Sequence, residues 1–184
     1  PTPAYPGYEP TIKMMHAKPV YIDLVDQDFK LTAEILESYI TEKTKVIILT
    51  YPNNPTGAVM PLEEMDKVAD VIRRHDVYLL SDEIYSVLAF EQYHSFARYT
   101  DLIDKIVIVN GFSKSHSMTG WRVAYTLASE EIINNMNKVG QYTITGVNTI
   151  AQYGAIYAME HYPRRDDIIE INRNRLMFMK RVLE

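Results

Sequence analysis

Between Lys45 and Leu80 the chain spells out a strand, a helix and a second strand, and that unit admits few folds. Lys45–Thr50 (KVIILT) and Val77–Leu80 (VYLL) are short apolar runs rich in branched residues, as in strands covered on both faces. Between them, Pro61–His75 places Leu62, Met65, Val68, Ala69 and Ile72 on one stripe at helical spacing. Pro61 occupies the first helical position, Glu63 and Glu64 lie in the first turn, and Arg73, Arg74 and His75 lie in the last. Those charges oppose the helix dipole at both ends. A helix of this length crossing between two buried strands makes them parallel neighbours.

The rest of the chain extends that unit. Lys105–Val109 (KIVIV), Arg122–Leu127 (RVAYTL) and Pro19–Leu24 (PVYIDL) read as further strands. Helical patterns cover about Thr32–Glu42, a segment opened by Ser129 with Glu130 and Glu131 behind it, Val147–Glu160 and Asp166–Leu183. Only Asn110–Trp121, with no helical pattern, separates KIVIV from RVAYTL. A parallel crossover needs a dozen or more residues and usually a helix, so this pair is expected to be antiparallel. The fold class is α/β: a mainly parallel sheet flanked by helices, with one antiparallel strand.

Composition excludes several functions. The chain has 184 residues, 47% hydrophobic and 23% charged, which is a globular balance. A formal net charge of -5 argues against a nucleic-acid partner. There is no cysteine, so thiolate metal sites, disulfides and cysteine nucleophiles are out. The five histidines show no metal-binding spacing. No apolar run reaches the roughly 18 residues of a membrane helix, so no membrane partner is expected. The chain opens on Pro1 rather than methionine and is expected to be a piece of a longer cytoplasmic protein.

Ligand sites of open α/β sheets lie beyond the carboxyl ends of the strands. Three polar clusters fall there: Tyr51–Gly57 (YPNNPTG), Ser81–Tyr85 (SDEIY) and Gly111–Arg122 (GFSKSHSMTGWR). Taken singly each has a plain reading. The first is turn chemistry; the second resembles a magnesium-binding acidic pair but lacks its phosphate loop; Lys114 alone is a surface lysine. Together they offer an amide, a carboxylate with a tyrosine, and a lysine with an arginine eight residues on. That set suits a flat, anionic, electron-withdrawing cofactor with a carbonyl carbon, which describes pyridoxal 5'-phosphate (PLP).

In order, spacing and wording, NNPTG, SDEIY and SKSHSMTGWR resemble the class I/II, aspartate aminotransferase-like family of fold-type I PLP enzymes. The opening PTPAYPGYEP, the segment QYTITGVNTIAQYGA and the final RRDDIIE extend the resemblance over essentially the whole chain. It implies that Lys114 forms the internal aldimine and relays the proton, and that Asp82 pairs with the pyridine nitrogen. It further implies that Asn54 and Tyr85 donate to the ring phenolate oxygen, and that Arg122 forks onto the phosphate with help from Ser113. Tyr5 would stack on the ring, and the Asn54–Pro55 bond resembles one that is cis in relatives. One departure stands out: many relatives carry serine where this chain has Gly111.

The resemblance also implies a division of the chain. Residues 1–165 would be a PLP-binding large domain incomplete at its N-terminus, and residues 166–184 a helix leading towards an absent small domain. The implied function is transfer of an amino group from an amino acid to a 2-oxo acid by a homodimer. The same constellation is shared by C–S β-lyases and by ligand-sensing domains of transcription regulators, and a cofactor-free structural domain is a further alternative.

Overall fold

A computed structural model of the chain describes residues 1–163 and 165–184. The RRDDIIE stretch therefore enters it at Arg165, because Arg164 lies outside the described residues. Four strands form one sheet in the order β1 (Val46–Thr50), β2 (Tyr78–Asp82), β3 (Ile106–Gly111) and β4 (Ala124–Leu127). The first three are parallel, with Thr50 opposite Asp82 and Asp82 opposite Val109. β4 runs antiparallel to β3, with Gly111 opposite Ala124, as the short link between them requires.

In chain order the helices are α1 (Tyr8–Met14), α2 (Ala33–Ser38), α3 (Leu62–Arg74), α4 (Phe112–Ser115), α5 (Glu130–Thr143), α6 (Thr149–His161) and α7 (Asp166–Leu183). The α3 helix makes the β1–β2 crossover and buries Met65, Val68, Ala69, Val71 and Ile72. These pack with Leu36, Leu49, Leu79, Phe96, Ile106 and Ile108 into the main core. Each of the larger side chains among them contributes roughly 1.5–3 kcal/mol by burial. Pro61 is the N-cap of α3, extended at φ -61° and ψ 149°, rather than its first helical residue. Thr32 caps α2, its hydroxyl accepting the Ile35 N–H at 3.2 Å.

Three further expectations are corrected. Pro19–Leu24 is not a strand: Thr2 and Asp23 form an isolated parallel bridge and nothing more. Thr2 N–H donates to the Ile22 carbonyl and Leu24 N–H to the Thr2 carbonyl, but Thr2 stands between Pro1 and Pro3. Proline offers no N–H, so the ladder cannot grow. Arg122 lies outside β4, in the left-handed region at φ 53°. The link Asn110–Trp121 contains one helical turn, α4, and a 3-10 turn at Thr119–Trp121. The β2–β3 crossover is made of three 3-10 turns, Ser86–Leu88, Phe96–Arg98 and Thr100–Leu102.

A second, smaller core supports the loop after β3. Ala151, Ala155 and Ala158 on one face of α6 pack with Phe112, Met118 and Val123. Small residues at this spacing let the helix backbone approach the loop; a Cβ on Gly154 would stand 2.6 Å from the Trp121 ring. His116 Nε2–H donates to the Tyr162 carbonyl at 2.9 Å, tying the same loop to the end of α6. No described helix is long and apolar enough to cross a membrane.

Candidate active site

Because β1, β2 and β3 are parallel, their carboxyl ends meet at one edge of the sheet. β4 starts at that edge, since Ala124 lies opposite Gly111. The loop holding Asn54 follows β1, Asp82 ends β2, Tyr85 follows three residues later, Ser113 and Lys114 sit in α4, and Arg122 precedes β4 by two residues. Tyr5 joins them through α1, whose first residue, Tyr8, reaches both Thr50 and Asp82. All seven candidates thus belong to one rim, the position expected of a ligand site in such a sheet.

Both carboxylate oxygens of Asp82 are tethered. Oδ1 accepts the Ile84 N–H at 3.2 Å and Oδ2 accepts the Tyr8 hydroxyl at 2.5 Å. The Tyr8 oxygen lies 2.7 Å from Thr50 Oγ1. Burial first, and then the bond to Asp82, hold the Tyr8 phenol well above its ordinary range. Tyr8 carries no motif signal beyond lying three residues after Tyr5, and its partner is 74 residues away in sequence.

The neighbouring acid does a different job. Strand alternation turns Glu83 to the opposite side from Asp82, alongside Ser81. It is buried, and its carboxylate accepts the Ser81 hydroxyl at 3.1 Å and the Phe96 N–H at 3.0 Å. Glu83 therefore anchors the β2–β3 crossover and leaves Asp82 alone at the rim. The two asparagines of NNPTG divide in the same way. Asn53 Oδ1 accepts the Thr56 N–H at 3.2 Å and the Thr56 hydroxyl at 2.8 Å, closing a turn that needs Gly57 at φ 74°. Asn54 is half-buried, and its bond to Pro55 is cis.

Lys114 and Tyr85 are brought together directly, with Nζ 5.6 Å from the centre of the tyrosine ring. Among the described residues Nζ has no hydrogen-bond or ion-pair partner. Asn110 Nδ2 donates to Ser86 Oγ at 3.1 Å, fastening the end of β3 to the turn after Tyr85. Ser113 and Arg122 are linked by Thr119: its hydroxyl donates to the Ser113 carbonyl and its carbonyl accepts Arg122 Nη1, both at 2.9 Å. A left-handed arginine costs roughly 1–2 kcal/mol, a strain that functional sites commonly hold. Tyr5 is half exposed, meets Tyr8 edge-on at 5.5 Å and covers Gly7, where a Cβ would stand 2.3 Å from its ring. No hydrogen bond or ion pair joins Lys114, Asp82 and Arg122 to one another.

Gly111 has a steric explanation. Its backbone is extended, but a Cβ there would lie 2.9 Å from both Cα and Cβ of Ala124 and 3.2 Å from the Val123 carbonyl oxygen. A serine at this position has no room while β4 lies this close. A phosphate held on this rim would take its side-chain contacts from other residues.

The donor set fits PLP. Asp82, with one tether per oxygen, keeps lone pairs for a protonated ring nitrogen. Arg122 commits one of its five N–H donors within the chain and keeps the others for an anion. Lys114 offers an amine to a carbonyl carbon. Among the described residues no cluster of acidic or histidine side chains could hold a metal ion.

The family model for aminotransferase class I and II matches residues 1–184. Over 160 residues the chain is 44% identical to a probable N-acetyl-LL-diaminopimelate aminotransferase of Bacillus subtilis, covering 86% of this chain and 40% of the relative. Over 162 residues it is 43% identical to an aspartate aminotransferase of the same organism, covering 86% and 41%. The crystal structure of an aromatic aminotransferase from Pyrococcus horikoshii superposes with a TM-score of 0.90 at 33% identity, covering 99% of this chain and 51% of the other. The chain thus spans about two-fifths of the length of the curated relatives it matches.

Proposed function

The chain belongs to the class I and II aminotransferase family, and on that premise we propose that the whole protein is a PLP-dependent transaminase moving an amino group from an amino acid to a 2-oxo acid. The observation that supports this reading is the single rim bearing Lys114, Asp82 and Arg122, with no hydrogen bond or ion pair between any two of them. When bound, the cofactor supplies an aldehyde carbon and an electron-withdrawing ring.

The chain's own residues then divide the work. Lys114 Nζ is the covalent anchor and the group that carries a proton to and from the substrate carbon. Asp82 accepts the ring N–H in an ion-paired hydrogen bond. The Tyr85 hydroxyl and the Asn54 amide donate to the ring oxygen, while the Arg122 fork and the Ser113 hydroxyl hold the phosphate. Tyr5 covers one ring face and keeps water from it. Residues 1–165 act as the cofactor-binding large domain and 166–184 lead to a second domain, in a cytoplasmic homodimer that handles amino acids and 2-oxo acids.

The test is made on the full-length protein with PLP and a 15N-labelled amino donor. Label recovered in the amino group of a product formed from the 2-oxo acid supports transamination. Label released as ammonia with no such product refutes it and favours a lyase.

A further inference from the structure

Tyr8 has none of the roles assigned above, yet its hydroxyl meets two partners on the rim, Thr50 and Asp82. A carboxylate only accepts, so the single phenolic proton of Tyr8 must go to Asp82 Oδ2. The 2.7 Å contact with Thr50 is then fixed in direction: the Thr50 hydroxyl donates to the Tyr8 oxygen. Thr50 is buried at the end of β1, and Asp82 lies opposite it at the end of β2. The chain from Thr50 to Tyr8 to Asp82 thus ends on a carboxylate that has one further tether, the Ile84 N–H on its other oxygen.

The α1 helix buries no residue, so apolar packing does little to hold Tyr8 in place. Its hydroxyl contacts dock the helix on the rim, and Tyr5 rests edge-on against the same ring.

We propose that Tyr8 is a positioning residue that fixes the plane of the Asp82 carboxylate towards the cofactor nitrogen and, through its ring, sets the height of Tyr5. The inference rests on the PLP reading above. Two tethers, one on each oxygen, stop the carboxylate turning about its last bond. With the Tyr8 bond removed, only the Ile84 N–H remains, and the ion-paired contact to a ring nitrogen loses alignment. Thr50 acts one step further back by orienting the Tyr8 hydroxyl.

The test uses full-length protein loaded with PLP carrying 15N in the ring. Wild type, Tyr8→Phe and Thr50→Val are compared for cofactor dissociation constant and for the 15N shift. Tyr8→Phe keeps the ring and removes the bond; the expected result is roughly tenfold weaker cofactor binding, the scale of a lost hydrogen bond to a charged group. The ring nitrogen signal should move towards that of unprotonated pyridine, a change that a loosened α1 alone would not produce. Thr50→Val should move both readouts in the same direction and less far. In an Asp82→Ala background, Tyr8→Phe should change neither. A Tyr8→Phe protein with wild-type affinity and an unmoved 15N signal overturns the inference while leaving the PLP reading intact. A wild-type protein that takes up no PLP overturns both.

Discussion

Replacing Gly111 by alanine tests how closely β3 and β4 are packed behind the candidate site. The new Cβ would lie 2.9 Å from Ala124 Cα and Cβ and 3.2 Å from the Val123 oxygen. Ordinary contact begins near 3.4 Å, so β4 must retreat by about 0.5 Å. Two of the three obstructing atoms are backbone, which no rotamer change relieves. Overpacking of this kind costs about 1–3 kcal/mol. Against it, losing a glycine stiffens the unfolded chain and returns about 0.4–1 kcal/mol, because the extended backbone at φ 174° suits any residue. The overpacking term is larger, and the expected net loss is about 1–2 kcal/mol, read as a lower urea midpoint of the full-length protein at unchanged slope. Adding Ala124→Gly removes one of the three contacts and should restore part of the loss, giving a coupling of at least about 0.5 kcal/mol. Arg122 and Lys114 flank this contact in sequence, so PLP affinity should fall with stability. A Gly111→Ala protein as stable as wild type would show that the strands are not this close.

Two further outcomes are expected. Glu83→Leu removes the one oxygen, Oε1, that accepts both the Ser81 hydroxyl and the Phe96 N–H; leaving the buried Phe96 N–H unsatisfied should cost about 1–3 kcal/mol in urea unfolding, and a loss below about 0.5 kcal/mol would contradict the anchoring role. Burial pushes the Tyr51 phenol up to about 12 from its ordinary value of 10.0. The folded state therefore favours the neutral phenol, and its contribution is complete below pH 10 and lost as pH climbs through 12. Tyr51→Phe should flatten the fall of unfolding free energy over that window by up to about 1.4 kcal/mol per pH unit; an unchanged slope would count against it.

What the sequence made legible, and what it hid, follows physical lines. The β1–α3–β2 unit was plain because one helix face and two largely apolar strands leave no other period to read. The antiparallel turn of β4 followed from loop length alone. The gathering of Asn54, Asp82, Tyr85, Lys114 and Arg122 on one rim follows from that topology, because each lies beside a strand end. Pro19–Leu24 misled because Ile22 and Leu24 are buried alternately, as in a strand, while the prolines flanking Thr2 hold its pairing to a single bridge. Tyr8 stayed hidden since its bonds span 42 and 74 residues. The adjacent acids Asp82 and Glu83 look alike in sequence, and only the strand's alternation and the Phe96 contact separate the rim from the anchor. The left-handed Arg122 is a backbone property that no side-chain pattern announces.

The central claim is that Lys114 is where the cofactor attaches. Full-length protein incubated with PLP, reduced with borohydride, digested and mapped by mass spectrometry reads that position directly. The account predicts a pyridoxyl group on Lys114 in the peptide that contains it, and none on a Lys114→Ala protein. The same label on any other lysine, or its persistence after Lys114→Ala, would contradict it.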